Sequence, residues 1–118
     1  MTDTPARFVI IESPYAGNIE RNAAYLRAAL ADAFRRGEVP FASHGLYTQP
    51  GVLNDQVAEE RAKGIAAGFQ VAAALAEAGA VRAVYVDEGM SSGMRQGIAH
   101  AVQIGQRVEI RTVPGWSA

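Results

Sequence analysis

Residues 86–101 read VDEGMSSGMRQGIAHA, and this stretch decides the fold. The run VRAVYV at residues 81–86 leads into it and is rich in β-branched residues, which predicts a strand buried on both faces. The glycines and serines of residues 89–93 indicate a turn, and apolar residues then recur at helical spacing. A buried strand followed by a turn and a helix is typical of a parallel α/β sheet.

The same alternation of strand and helix runs through the whole chain. The predicted strands are residues 8–11, 38–43, 81–86 and 107–113. The predicted helices begin near Ile19, near Asn54 or Asp55, and near Ser92, and they end near Gly37, Gly79 and Gly105. This order predicts one α/β domain over residues 1–118, a small three-layer parallel sheet of Rossmann or flavodoxin type with strand order 2-1-3-4.

The second predicted helix is rich in small residues, because residues 64–80 read GIAAGFQVAAALAEAGA. Gly64 and Gly68 each lower helix propensity by roughly 1 kcal/mol relative to alanine. Close packing against the sheet or against a second subunit is expected to compensate. A chain of 118 residues also buries a modest share of its surface, so we expect a homo-oligomer.

Composition excludes several classes of function. A net charge of −1 is no basis for nucleic-acid binding. There is no cysteine, and two histidines are too few for a histidine-rich metal site, so neither a metal nor a cofactor is expected. The first residues are polar and lack a hydrophobic signal core, and no apolar run reaches membrane-spanning length. We therefore expect a cytoplasmic protein without a membrane partner.

Open parallel sheets bind ligands beyond the carboxyl ends of their strands, at the point where the strand order reverses. For the order 2-1-3-4 that point lies between the first and third strands. The loops that follow these strands are residues 12–18, ESPYAGN, and residues 87–95, DEGMSSGMR. We expect these two loops to face each other across one crevice.

The first loop offers hydroxyl groups and a helix amino terminus, which suit phosphate or hydroxyl ligands. Its candidate ligand-binding residues are Ser13, Tyr15 and Gly17, and Asn22 lies one turn into the following helix. The plainer alternative is a strand-to-helix turn in which Asn18 is the N-cap.

The third loop offers an aspartate at the end of a strand and a second helix amino terminus. Asp87 is suited to accept hydrogen bonds from sugar hydroxyls, and Arg95 adds a cation at the helix start. Ser92 and the N–H groups of Gly93 and Met94 are suited to a phosphate. The alternative is that Ser92 is only an N-cap and Asp87 only a turn former.

Two further segments carry candidates. His44 and Tyr47 lie in the long loop after the second strand and are suited to contact a base or leaving group. Glu12 ends a buried strand, where desolvation would raise the pKa of its carboxyl and suit it to acid–base catalysis. The alternative for Glu12 is an ion pair with a nearby arginine. His100 is expected to be solvated, and residues 59–63 to be a charged helix face.

Five segments together resemble a known family: ESPYAG, Asn22, PFASHGLYTQ, EERAKGIAAG and VDEGMSSGM followed by GI. They resemble an uncharacterised domain family of phage and bacterial proteins. That family is grouped with the nucleoside 2-deoxyribosyltransferase-like superfamily, which includes deoxynucleotide N-glycosidases. The resemblance covers almost the whole chain and implies a single domain of this type with a nucleoside or nucleotide ligand.

The resemblance fails at the catalytic position. In the transferases a glutamate on the helix after the third strand attacks the sugar, and Gly97 stands at the matching position here. Binding of a nucleoside or nucleotide without turnover is therefore one hypothesis. An N-glycosidase or deoxyribosyltransferase that uses another carboxylate, Glu12, Asp87 or Glu88, is a second. A structural oligomer with a vestigial crevice is a third.

Overall fold

The computed structural model describes residues 6–117. The chain order is β1 (Phe8–Glu12), α1 (Ile19–Arg35), β2 (Val39–Phe41), α2 (Ser43–Leu46), α3 (Ala58–Ala76), β3 (Val81–Tyr85), α4 (Ser92–Gln103) and β4 (Val108–Arg111). All neighbouring strands are parallel and their order is β2-β1-β3-β4, which confirms the predicted fold and strand order. The polar residues predicted to lack a signal core lie mostly outside the described range.

Helices cover both faces of the sheet because side chains alternate along each strand. Val9 and Ile11 of β1 pack in one cluster with Tyr25 and Ala29 of α1. Ile10, on the opposite face, packs in a second cluster with Ala72 of α3. None of the helices in residues 6–117 has the length and apolarity needed to cross a membrane.

The two largest differences from the predicted element bounds are at α2 and at the start of α3. Residues 43–46 form α2, where the last residue of the second strand and the start of the long loop were predicted. Helix α3 begins at Ala58, later than predicted, because Asn54 first closes a turn: its side-chain oxygen accepts from Gln56 N at 3.0 Å. The apolar face of α4 does not include Val102, which is 69% exposed.

The close packing of helix α2 against its neighbours explains why two positions are glycine. A Cβ at Gly68 of α3 would lie 2.5 Å from Ser43 Oγ and 2.8 Å from Ser43 Cβ, so α2 can approach α3 only at a glycine. A Cβ at Gly45 of α2 would likewise lie 2.5 Å from Leu26 Cδ2 on α1. The close contact at Gly68 is therefore with α2, which was not among the expected contacts.

Replacing Gly68 with alanine is expected to lower the free energy of unfolding by about 1–3 kcal/mol, because the new methyl overlaps Ser43. Gly64→Ala is the matched control, since its Cβ would lie 3.4 Å from Leu53 Cδ1, the end of a flexible side chain. The control should be neutral or stabilising by up to about 1 kcal/mol through helix propensity. Urea denaturation measures both, and equal effects would contradict the close approach of α2.

Candidate functional site

A cavity of about 170 Å³ lies between the sheet and helices α3 and α4, at the carboxyl ends of β1 and β3. Both loops expected to form the crevice contribute to it. Ser13 and Tyr15 come from the loop after β1, and Ser92 and Gly93 from the turn into α4. Glu12 and His44 line it as well, so six of the predicted site residues meet in one place.

A larger groove of about 790 Å³ adjoins this inner cavity. Four residues line both spaces: Tyr15, Ala16, Asp55 and Arg61. Gly17 lines only the outer groove, where its φ of 99° lies in the region that favours glycine. The two spaces together form one crevice with a narrow inner end and a wide outer end.

Glu12 and Arg82 form an ion pair beside the inner cavity. Glu12 Oε2 lies 3.2 Å from Arg82 Nη1, which agrees with the ion pair considered for Glu12. Burial raises the pKa of Glu12 to about 7, although the charge of Arg82 and its hydrogen bond act in the opposite direction. The carboxyl therefore titrates much closer to neutral pH than that of an ordinary glutamate.

Arg82 is fully buried, and its guanidinium contacts several residues besides Glu12. Its Nε donates to Gln106 Oε1 at 3.0 Å, and its Nη1 also donates to the carbonyl oxygen of Gly97. His100 Nδ1 lies 2.8 Å from Arg82 Nη2, and the imidazole stacks on Phe69 with ring centroids 4.1 Å apart. The expectation of a solvated His100 was wrong, because the half-buried ring contacts Arg82 and Phe69.

Gly97 leaves the space that the carboxyl of Glu12 occupies. A Cβ at Gly97 would lie 2.6 Å from Glu12 Oε1 and closer still to Cδ and Oε2. Any residue other than glycine would therefore displace the carboxyl. The position that lacks a carboxylate on the helix thus faces a carboxylate supplied by β1.

Ser13 and His44 form a second polar pair in the inner cavity. Ser13 Oγ lies 2.7 Å from His44 Nε2, so the pair connects the end of β1 to α2. Burial lowers the pKa of His44 to about 4, and the imidazole is therefore neutral at pH 7. A neutral imidazole and a hydroxyl suit a ligand with hydroxyl or other uncharged polar groups.

Asp87 does not line the cavity. Alternation along β3 directs Tyr85 and Asp87 towards α1, whereas the cavity lies on the opposite face of the sheet. Asp87 Oδ2 accepts hydrogen bonds from Tyr25 Oη at 2.6 Å and from Val113 N at 2.8 Å. Its observed contacts connect α1 to the segment after β4, and they agree with a structural role.

Replacing Asp87 with alanine is expected to lower the free energy of unfolding by about 2–4 kcal/mol, because two donors lose a charged acceptor. Asp87→Asn is the matched control, since it retains an acceptor oxygen and should lose less. Thermal and urea denaturation measure the difference. A wild-type stability for Asp87→Ala would contradict this structural role.

Two more of the predicted site residues, Asn22 and Met94, form hydrogen bonds within the loops that border the crevice. Asn22 Nδ2 donates to the carbonyl oxygens of Tyr15 and Ala16, at 2.9 Å and 3.1 Å, and so fixes the loop after β1. The amide N–H of Met94, expected to bind a phosphate, donates to Ser91 Oγ at 3.2 Å. Ser91 rather than Ser92 is thus the N-cap of α4.

The remaining predicted residues lie away from the inner cavity. Tyr47 lines a smaller cavity of about 60 Å³ beside it and contacts the ring of Phe41 edge-on. Arg95 is exposed on α4 and is not among the residues that line the cavity.

Sequence reasoning missed several residues of the inner cavity, namely Arg82, Asp55, Arg61, Gln96 and Phe69. A signal existed for Arg82, because a single charge within the apolar run VRAVYV indicates a buried ion pair. Arg61 was assigned to a solvated helix face, and nothing in the local pattern distinguishes it from its charged neighbours. In the described part of the chain, no three His, Asp or Glu side chains group as potential metal ligands.

The fold and the cavity define a parallel α/β domain with a carboxyl-containing crevice at the carboxyl ends of its strands. The chain belongs to a family described as a domain of unknown function, DUF7768, whose model matches residues 7–111. No curated protein and no solved structure matches the chain.

Proposed function

We propose that the crevice binds a nucleoside or nucleotide and that Glu12 promotes hydrolysis of the bond between its sugar and its base. The observation that carries the proposal is the carboxyl of Glu12, which faces the cavity in the space left by Gly97. Carboxyl groups stabilise the oxocarbenium-like transition state of glycoside hydrolysis and activate water for it. The resemblance to the nucleoside 2-deoxyribosyltransferase-like superfamily supports the same ligand class.

The two parts of the crevice suit the two parts of such a ligand. The inner cavity offers Glu12, Ser13 and His44, whose oxygen and nitrogen atoms suit sugar hydroxyls. The outer groove is larger and includes Tyr15, on which a base can stack. The sugar then lies beside Glu12, with the base directed outward.

The raised pKa of Glu12 supports a catalytic role rather than a purely structural one. A carboxyl with a pKa of about 7 is a stronger base when ionised than an ordinary glutamate. It can therefore accept a proton from water at neutral pH. Structural ion pairs usually lower the pKa of a carboxyl instead, as the arginine pairs of Glu38 do.

Incubation with nucleosides and their mono-, di- and triphosphates, followed by chromatography for free base, tests the proposal. Free base should appear with the wild-type protein and disappear with Glu12→Gln, while Glu59→Gln on the exposed face of α3 should behave as wild type. Base release that persists in Glu12→Gln would assign the reaction to another group. Ligand that co-elutes intact would establish the second candidate, binding without turnover, which the glycine at position 97 favours.

A further inference from the structure

Arg61 lies where the inner cavity meets the outer groove, because it lines both. Asp55 lines both as well, whereas Glu12 lines only the inner cavity. A ligand with its sugar beside Glu12 and its base in the groove has the bond between them at this junction. The side chains at the junction are therefore the ones that contact the base as it leaves.

The guanidinium of Arg61 extends from the first turn of α3 across the cavity opening. A Cβ at Gly93 would lie 4.0 Å from Arg61 Nη2, so the side chain reaches the first turn of α4. Asp55 Oδ2 lies 3.6 Å from Arg61 Nη1. That separation is longer than a hydrogen bond, so Asp55 orients the cation through its charge while the N–H groups remain able to donate to a ligand.

We infer that Arg61 is a catalytic residue that stabilises the negative charge of the departing base, and that Asp55 is its positioning residue. This inference rests on the proposed hydrolysis. As the bond from the anomeric carbon to the base nitrogen breaks, its electron pair passes to the base. Arg61 donates hydrogen bonds to the base atoms that carry this charge and keeps its own proton throughout.

The other steps complete the reaction. The oxygen of a water molecule bonds to the anomeric carbon, and ionised Glu12 takes the proton that this water loses. The base anion takes a proton from solvent, and Glu12 returns its proton to solvent. Sugar and free base are the products, and both residues regain their starting states.

The test compares two leaving groups on the same sugar: a natural base and p-nitrophenol, whose anion is stable without help from the protein. Arg61→Gln should lower kcat for the natural nucleoside about 10²–10³-fold, the loss typical of removing one donor to a developing anion. Release of p-nitrophenol should fall far less. Asp55→Asn should lower kcat for the natural nucleoside by a smaller factor than Arg61→Gln does. It too should affect the release of p-nitrophenol less than the release of the natural base.

Lys63→Gln is the matched control, because it removes one cation from the same helix at an exposed position. It should leave both reactions unchanged. Equal losses of both reactions in Arg61→Gln would overturn the inference and reduce Arg61 to a structural role, while the proposed hydrolysis would stand. A wild-type protein that releases neither base nor p-nitrophenol would overturn the proposed hydrolysis itself.

Discussion

Replacing Gly97 with alanine is expected to abolish base release and to lower the free energy of unfolding by about 1–3 kcal/mol. The new methyl would overlap the carboxyl of Glu12, which lies directly against this position. Either the carboxyl moves, which removes it from the sugar, or α4 moves away from the sheet. If the carboxyl moves, Arg82 loses its contact with Glu12. If α4 moves, Arg82 loses its contact with the carbonyl oxygen of Gly97.

Gly93→Ala is the control within the same helix. Its Cβ would meet nothing closer than 3.9 Å, so helix propensity should raise the stability by up to about 1 kcal/mol. In the double variant Glu12→Ala with Gly97→Ala the shortened side chain vacates the space, so the loss of stability should be smaller than the sum of the two single losses. Denaturation curves for the four proteins form a cycle, and additive losses would show that the two residues do not compete for this space.

Glu12→Gln is expected to make the folded protein more stable at pH 8 by up to about 3 kcal/mol, while it removes the proposed activity. The pKa of Glu12 is raised from 4.5 to about 7 by burial. Between these values the folded protein holds a proton that the unfolded chain has released. The contribution of Glu12 to stability is therefore present below pH 4.5 and is lost as the pH rises to about 7.

The measurement is the difference between the variant and the wild type, taken from urea denaturation at pH values from 4.5 to 8. The wild-type curve alone is not sufficient, because His44 contributes with the opposite sign. Its pKa is lowered from 6.5 to about 4, so its contribution grows as the pH rises between these values. A difference that stays constant with pH would show that the carboxyl of Glu12 is ionised throughout.

The fold could be predicted because each strand, turn and long helix is indicated by a short continuous segment of the sequence. The runs FVII and VRAVYV are predominantly apolar and rich in β-branched residues, and glycine-bearing turns separate strand from helix. Helix α2 could not be predicted, since four residues are too few to show a periodicity. It is held between α1 and α3 by the approach of Gly45 to Leu26 and of Gly68 to Ser43.

The candidate site could be predicted only in part. Its position at the ends of β1 and β3 followed from strand order, and Glu12 was identified from its place at the end of a buried strand. The ion-pair partner of Glu12 could not be predicted, because Arg82 is 70 residues away in the sequence. Asp87 was assigned to the crevice because strand ends are ligand sites, although strand alternation turns its side chain towards α1.

The position of the carboxyl of Glu12 on β1 has a consequence for the proposed binding of a ligand. A central strand bonded to neighbours on both sides is among the stiffest parts of such a domain, whereas helices and loops yield more readily. A carboxyl on α4 would travel with that helix whenever the crevice widened. Because β1 carries this carboxyl and Arg82 of β3 pairs with it, we expect the carboxyl to keep its position in the proposed complex while α2 and α3 adjust around the ligand. In the proposed complex the sheet thus fixes the position of the reactive carboxyl, and the helices provide the flexibility.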